Sequence, residues 1–142
     1  MRRSAFLLLG LFVLFTGCDS SDPGEPMGVN SITGTWRGEL ISVNAMGQEQ
    51  TFNIHLNLNE SRTNVGGDGT VTGPSATVSF VIEEGSSYVH PFLSIDMIYE
   101  GSFPGGLNGN VSEDRRTIQA TMSGLGFSGS TELQIVLTQM AP

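Results

Sequence analysis

Residues 50–60 read QTFNIHLNLNE, and this stretch decides the fold class. Apolar side chains occupy its even positions from Phe52 to Leu58, and polar side chains occupy its odd positions from Asn53 to Asn59. A period of two residues is that of a β-strand with one buried face and one wet face. The stretch therefore predicts an amphipathic strand of an antiparallel sheet.

Seven further segments have strand character, and turn residues separate them. They are TGTWRGELISV (33–43), TNVGGDGTVTG (63–73), SATVSFVIEE (75–84), YVHPFLSIDMIYEG (88–101), SFPGGLNGNV (102–111), RTIQATMSG (116–124) and STELQIVLTQ (130–139). Pro91 suggests an edge or a bulge in its strand, because proline has no N–H for a sheet hydrogen bond. The pattern predicts an all-β fold with about eight antiparallel strands. An up-and-down barrel is favoured, since closure removes exposed edges, and a β-sandwich is the alternative.

Gly34 and Trp36 stand at the start of the first predicted strand. This Gly-x-Trp pattern resembles the lipocalin signature, in which the tryptophan plugs the closed end of an eight-stranded ligand-binding barrel. The chain departs from that family in its last strand, where the usual arginine is missing and Gln139 is the nearest polar residue. The resemblance implies a lipocalin-like barrel. The residues expected to line its interior are Trp36, Phe52, Leu56, Phe80, Leu93 and Leu133.

The N-terminus has the organisation of an export signal. Arg2 and Arg3 precede an apolar run of 11 residues, AFLLLGLFVLF. A membrane-spanning helix needs about 20 apolar residues, so this run has the length of a signal peptide. The four residues from Phe15, the last residue of this run, to Cys18 resemble the lipobox of bacterial lipoproteins, with Phe15 in place of the usual leucine.

The lipobox resemblance implies that residues 1–17 are removed and that Cys18 carries a lipid. Cys18 is the chain's single cysteine, so no internal disulfide can explain it. Residues 18–31 then form a lipidated flexible tether rich in Asp, Ser, Pro and Gly, and residues 32–142 form the barrel domain. We expect anchorage to a membrane of the bacterial cell envelope. The outer membrane is favoured over the inner, and the periplasmic or surface face stays open.

The charge of the chain excludes one class of partner. It holds 14 Asp and Glu against 6 arginines and no lysine, with a formal net charge of −8. Removal of Arg2 and Arg3 would leave four arginines and a charge of −10. Nucleic acids are bound through clustered Lys and Arg, so we expect no nucleic-acid partner.

The sequence contains no combination of residues that indicates catalysis. No serine lies in a nucleophile elbow, and the two histidines, His55 and His90, are too few for a zinc site without carboxylates. We therefore expect no enzyme activity, no cofactor and no metal. Two functions stay open. The first is binding of a small apolar ligand inside the barrel, and the second is a structural or interaction role for a barrel with a solid core.

Overall fold

A computed structural model describes residues 31–43, 46–100, 103–124 and 132–141. These residues contain strands and no helix. The nine strands are β1 (Gly34–Val43), β2 (Glu49–Ser61), β3 (Asn64–Thr72), β4 (Thr77–Ile82), β5 (Ser87–Val89), β6 (Phe92–Tyr99), β7 (Phe103–Val111), β8 (Thr117–Ser123) and β9 (Glu132–Gln139).

The strands form a closed antiparallel barrel of eight strands with one extra strand. Eight strands pair successively in the order β1, β2, β3, β4, β6, β7, β8, β9, and β9 pairs with β1. Trp36 on β1 stands opposite Gln139 on β9, so the first and last strands close the barrel. The predicted lipocalin-like up-and-down barrel is confirmed. The alternative β-sandwich is not the observed architecture.

The alternation of apolar and polar residues in the sequence corresponds to the inner and outer faces of the barrel wall. On β2, Phe52, Ile54, Leu56 and Leu58 are all buried, as their period predicted. The odd positions of the same strand, including His55, point outward and are exposed or half-buried. The buried apolar side chains of all the longer strands belong to one hydrophobic core.

The short strand β5 extends β4 after an interruption. Both strands pair with β3 on one side and with β6 on the other. The segment that joins β4 to β5 is two residues longer than the segments of β3 and β6 that face it. The backbone N–H of Glu83 donates to Asp96 O (2.8 Å) before the chain leaves the sheet. The buried Ser86 hydroxyl accepts from Asp96 N (2.9 Å) and donates to Asp96 O (3.2 Å). This side chain therefore takes the place of a missing backbone pair.

The predicted strand over 88–101 is wrong at its start. Tyr88 and Val89 belong to β5, and β6 begins only at Phe92. His90 and Pro91 form the turn between them. Proline offers no N–H to a sheet, so the chain reverses here instead of continuing with a bulge.

Hydrogen bonds close the end of the barrel at which the described chain begins, called here the Trp36 end. The indole N–H of Trp36 donates to Ile32 O (2.9 Å), and both residues are fully buried. Glu60 Oε2 accepts from the Ser31 hydroxyl and from Ile32 N, each at 2.9 Å. The chain is therefore tied across this end before β1 begins. The turns at residues 46–48 and 73–76 lie at the opposite end.

Candidate functional site

The six residues predicted to line a ligand cavity all lie inside the barrel. They come from β1, β2, β4, β6 and β9, and none is more than 8% exposed. Trp36 and Leu56 are at 0%. Almost no room for a water molecule therefore remains against these side chains on either side of the wall.

Glycines allow large side chains to fill the interior. Gly69 stands opposite Phe80, and a Cβ on Gly69 would overlap the Phe80 ring. A Cβ on Gly105 would overlap the Tyr99 ring in the same way. The Phe80 and Tyr99 rings meet edge to face with centroids 5.5 Å apart. Alternation of small and large residues is how small barrels fill their centres.

A crevice of about 120 Å³ opens at the end opposite Trp36. Phe52 forms one wall, and Gln50 and residues 73–76 form the rest. A cavity for a drug-sized ligand measures about 300 to 1,000 Å³. The crevice is too small for such a ligand as it stands.

Two polar side chains point into the barrel near the same end. Ser42 and Tyr99 both take inward positions on their strands and are at most 4% exposed. Neither Ser42 Oγ nor the Tyr99 hydroxyl has a hydrogen-bond partner among the described residues. Burial raises the pKa of the Tyr99 phenol above its ordinary value near 10, because the phenolate would lose its hydration.

The two histidines lie on different elements of the barrel. His55 is on the outer face of β2, opposite Arg37 on β1 and Thr70 on β3. His90 is in the turn before β6, where its Nδ1 and the Tyr88 hydroxyl form a hydrogen bond of 2.9 Å. Within the described ranges, no three His, Cys, Asp or Glu side chains gather in a way that could hold a metal ion.

The larger clefts formed by described residues open on the outer surface. One of about 470 Å³ surrounds the exposed Phe92, and one of about 610 Å³ lies beside the interruption between β4 and β5. A third, of about 490 Å³, crosses β3, β4 and β6. We call the third the β3–β6 groove. Its outward side chains are Asp68, Thr70, Ser79, Val81, Ile98 and Glu100.

Sequence reasoning missed the β3–β6 groove. Its residues are up to 32 positions apart along the chain, and only the pairing of β3 with β4 and of β4 with β6 brings them together. A partial signal was present in the sequence. Val81 and Ile98 are apolar residues at outward positions of their strands, where alternation predicts polar ones.

The residues of the predicted lipid anchor lie outside the described part of the chain. Residues 1–17 and Cys18 are among them, and the predicted tether is described only at Ser31. Within the ranges that are described, no helix has the length and apolarity needed to cross a bilayer.

No protein-family model matches the chain, and no curated protein matches it significantly. The fold, its described surfaces and the sequence around Cys18 are therefore what supports a function for this chain.

Proposed function

We propose that this chain is a lipid-anchored protein of the bacterial cell envelope that acts through the outer surface of a solid barrel. In this proposal it is a non-catalytic interaction protein. It needs no cofactor, and it does not carry a small molecule in its interior.

The filled interior carries the proposal. Eight-stranded barrels are just wide enough either to be filled by their own side chains or to hold one small ligand. Here the fully buried side chains include Trp36, Leu56, Ile95 and Leu137, which come from four different strands around the wall. Their near-zero exposure favours a filled barrel, and the large clefts on the outer wall favour contacts made from outside.

The anchor rests on the sequence around Cys18. Twelve residues separate Cys18 from Ser31, where the described barrel begins its contacts. A flexible chain of that length spans roughly 20 Å on average. The barrel can therefore stand clear of the membrane with its outer surface accessible, and the outer membrane is the proposed location.

Binding of a small apolar ligand is the second candidate. The inward-facing Ser42 and Tyr99 at the crevice end favour it, because unpaired polar groups there could meet a ligand that enters from that end. Entry would require Phe52 and its neighbours to move, since the crevice is about 120 Å³.

Two measurements on the full chain test the proposal. Cells that produce the protein are grown with radiolabelled palmitate, and the label is expected on the wild type and not on Cys18→Ser. The protein isolated in neutral detergent is then titrated with a fluorescent fatty acid, and no saturable binding is expected. Absence of the palmitate label from the wild type would contradict the proposed lipid anchor. Saturable binding of the fatty acid that is lost in Leu56→Trp would establish the second candidate instead.

A further inference from the structure

The floor of the β3–β6 groove is apolar. Val81 and Ile98 point outward and stand directly opposite each other on β4 and β6. Val81 is 56% exposed. Opposed residues on one face of a sheet have Cβ atoms about 5 Å apart, so these two side chains form one continuous surface. The exposed Pro104 stands opposite Ile98 on β7 and extends that surface.

The borders of the groove are acidic. Asp68 stands opposite Val81 on β3, and Glu100 follows the last residue of β6. Asn57 Nδ2 donates to Asp68 Oδ1 (2.8 Å), which holds this carboxylate at the border. The bond uses one of about four acceptor positions and leaves the others for a partner. The side chains that line the groove include no cation.

Charge decides which partner fits this groove. A second copy of the chain would bring Asp68 and Glu100 against the same two carboxylates, and like charges in contact cost binding energy. Anionic lipid headgroups and phosphate backbones are disfavoured for the same reason. A positively charged group is the complement of the acidic borders.

The barrel also restricts how a partner can bind. The described strands close on themselves through β1 and β9, so an added peptide strand finds no free edge at the groove. Affinity must come from side chains placed on the outer wall and not from β-strand addition.

We propose that the β3–β6 groove docks a segment of a partner protein in which lysine or arginine alternates with aliphatic residues. The aliphatic side chains cover Val81 and Ile98, and the cationic side chains reach Asp68 and Glu100. This inference rests on the proposed interaction function and names the chemistry of the partner. The groove has a volume of about 490 Å³.

The test uses three fluorescein-labelled peptides and the full chain in neutral detergent. The probes are Lys-Leu-Lys-Leu-Lys-Leu, Glu-Leu-Glu-Leu-Glu-Leu and Lys-Ser-Lys-Ser-Lys-Ser, and the readout is fluorescence anisotropy. Only the Lys-Leu peptide is expected to bind saturably. Its affinity should fall when NaCl is raised from about 0.05 to 0.5 M, because salt screens charges at an exposed site. Equal binding of the Lys-Ser peptide would overturn the role of the apolar floor.

Two matched pairs of variants locate the binding site. Asp68→Asn/Glu100→Gln should weaken binding of the Lys-Leu peptide about fivefold. Glu39→Gln/Glu49→Gln removes two exposed carboxylates elsewhere and should change it less than about twofold. Val81→Thr should weaken binding, whereas Val136→Thr, at a site 53% exposed, should not. Equal effects within either pair would overturn the groove as the site.

Failure of this inference is distinguishable from failure of the proposed function. If the Lys-Leu peptide does not bind but Cys18 carries palmitate and the fatty acid is not bound, only the groove proposal is overturned. If the variants behave as expected while Cys18 is not labelled, the groove proposal is supported and the anchor proposal is overturned.

Discussion

The Tyr99 hydroxyl is a buried polar group that has no hydrogen-bond partner among the residues that the structure describes. Its ring packs edge to face on Phe80 and over Gly105, so the side chain contributes apolar contact to the core. The hydroxyl contributes no described hydrogen bond. A buried polar group left unpaired costs about 1 to 3 kcal/mol. The aromatic ring therefore stabilises the barrel despite the hydroxyl.

We expect Tyr99→Phe to raise the free energy of unfolding by about 1 kcal/mol at neutral pH, because it removes only the unpaired hydroxyl. Burial raises the pKa of Tyr99, so the folded chain keeps the proton above pH 10 while the unfolded chain releases it. Wild-type stability should therefore fall there by up to about 1.4 kcal/mol per pH unit. The advantage of Tyr99→Phe should grow over the same range. Urea unfolding at several pH values measures both effects.

Tyr88→Phe is the control for the effect of Tyr99. Tyr88 is also buried, but its hydroxyl is hydrogen-bonded to His90. Its removal should lower the free energy of unfolding. A Tyr99→Phe variant that is less stable than the wild type at neutral pH would contradict the account given for this hydroxyl.

At the scale of elements, the interruption between β4 and β5 depends on one hydroxyl. The chain leaves the sheet after Ile82 and returns at Ser87, and Ser86 satisfies both backbone groups of Asp96 across the gap. Val65 N also donates to Ser86 O (3.0 Å), so Ser86 joins β3 and β6 from within the interruption. The barrel wall therefore stays hydrogen-bonded where its strand is broken.

We expect Ser86→Ala to lower the free energy of unfolding by about 1 to 3 kcal/mol, because it removes the Ser86 hydroxyl that accepts from the N–H of Asp96, whereas the Asp96 C=O still accepts from Glu83 N. The matched control is Ser87→Ala. Ser87 is half-buried at an outward position and pairs with its neighbours through the backbone, so its side chain should matter little. Chemical denaturation of the two variants checks the prediction, and equal losses would contradict it.

At the scale of the whole molecule, negative charge dominates the surface. The net charge of −8 comes from 14 acids opposed by arginines alone, and the acids of the described strands and turns from Glu39 to Asp114 are exposed or half-buried. Mutual repulsion of surface carboxylates destabilises the compact state, and salt screens it within a Debye length of about 10 Å at 0.1 M.

We therefore expect the thermal midpoint to rise as NaCl is raised from about 0.05 to 1 M, by a few degrees. Differential scanning calorimetry measures the midpoint. The variant Glu39→Gln/Glu49→Gln carries two fewer negative charges, so it should start from a higher midpoint and gain less from salt. A midpoint that stays flat or falls with salt would contradict the role given to repulsion.

The alternation of apolar and polar residues predicted most of the barrel, because within each strand it indicates which side chains face inward and which face outward. The predicted buried and exposed faces of β2, from Phe52 to Asn59, are confirmed. The predicted number of strands in the barrel, about eight, is confirmed as well. The start of β6 could not be read in this way. Alternation continues through His90 and Pro91, and only the pairing of Tyr88 with Leu93 reveals a turn there.

The sequence by itself determined that the chain is an all-β barrel with an acidic surface, and it located the predicted anchor at Cys18. These follow from local patterns that need no knowledge of neighbours in space. The tertiary structure decided which side chains fill the interior of the barrel and which side chains lie together on its outer surface. The packing of Phe80 on Gly69 and the meeting of Asp68, Val81 and Ile98 depend on the register between strands. Register is a property of paired strands, and a single strand does not specify it.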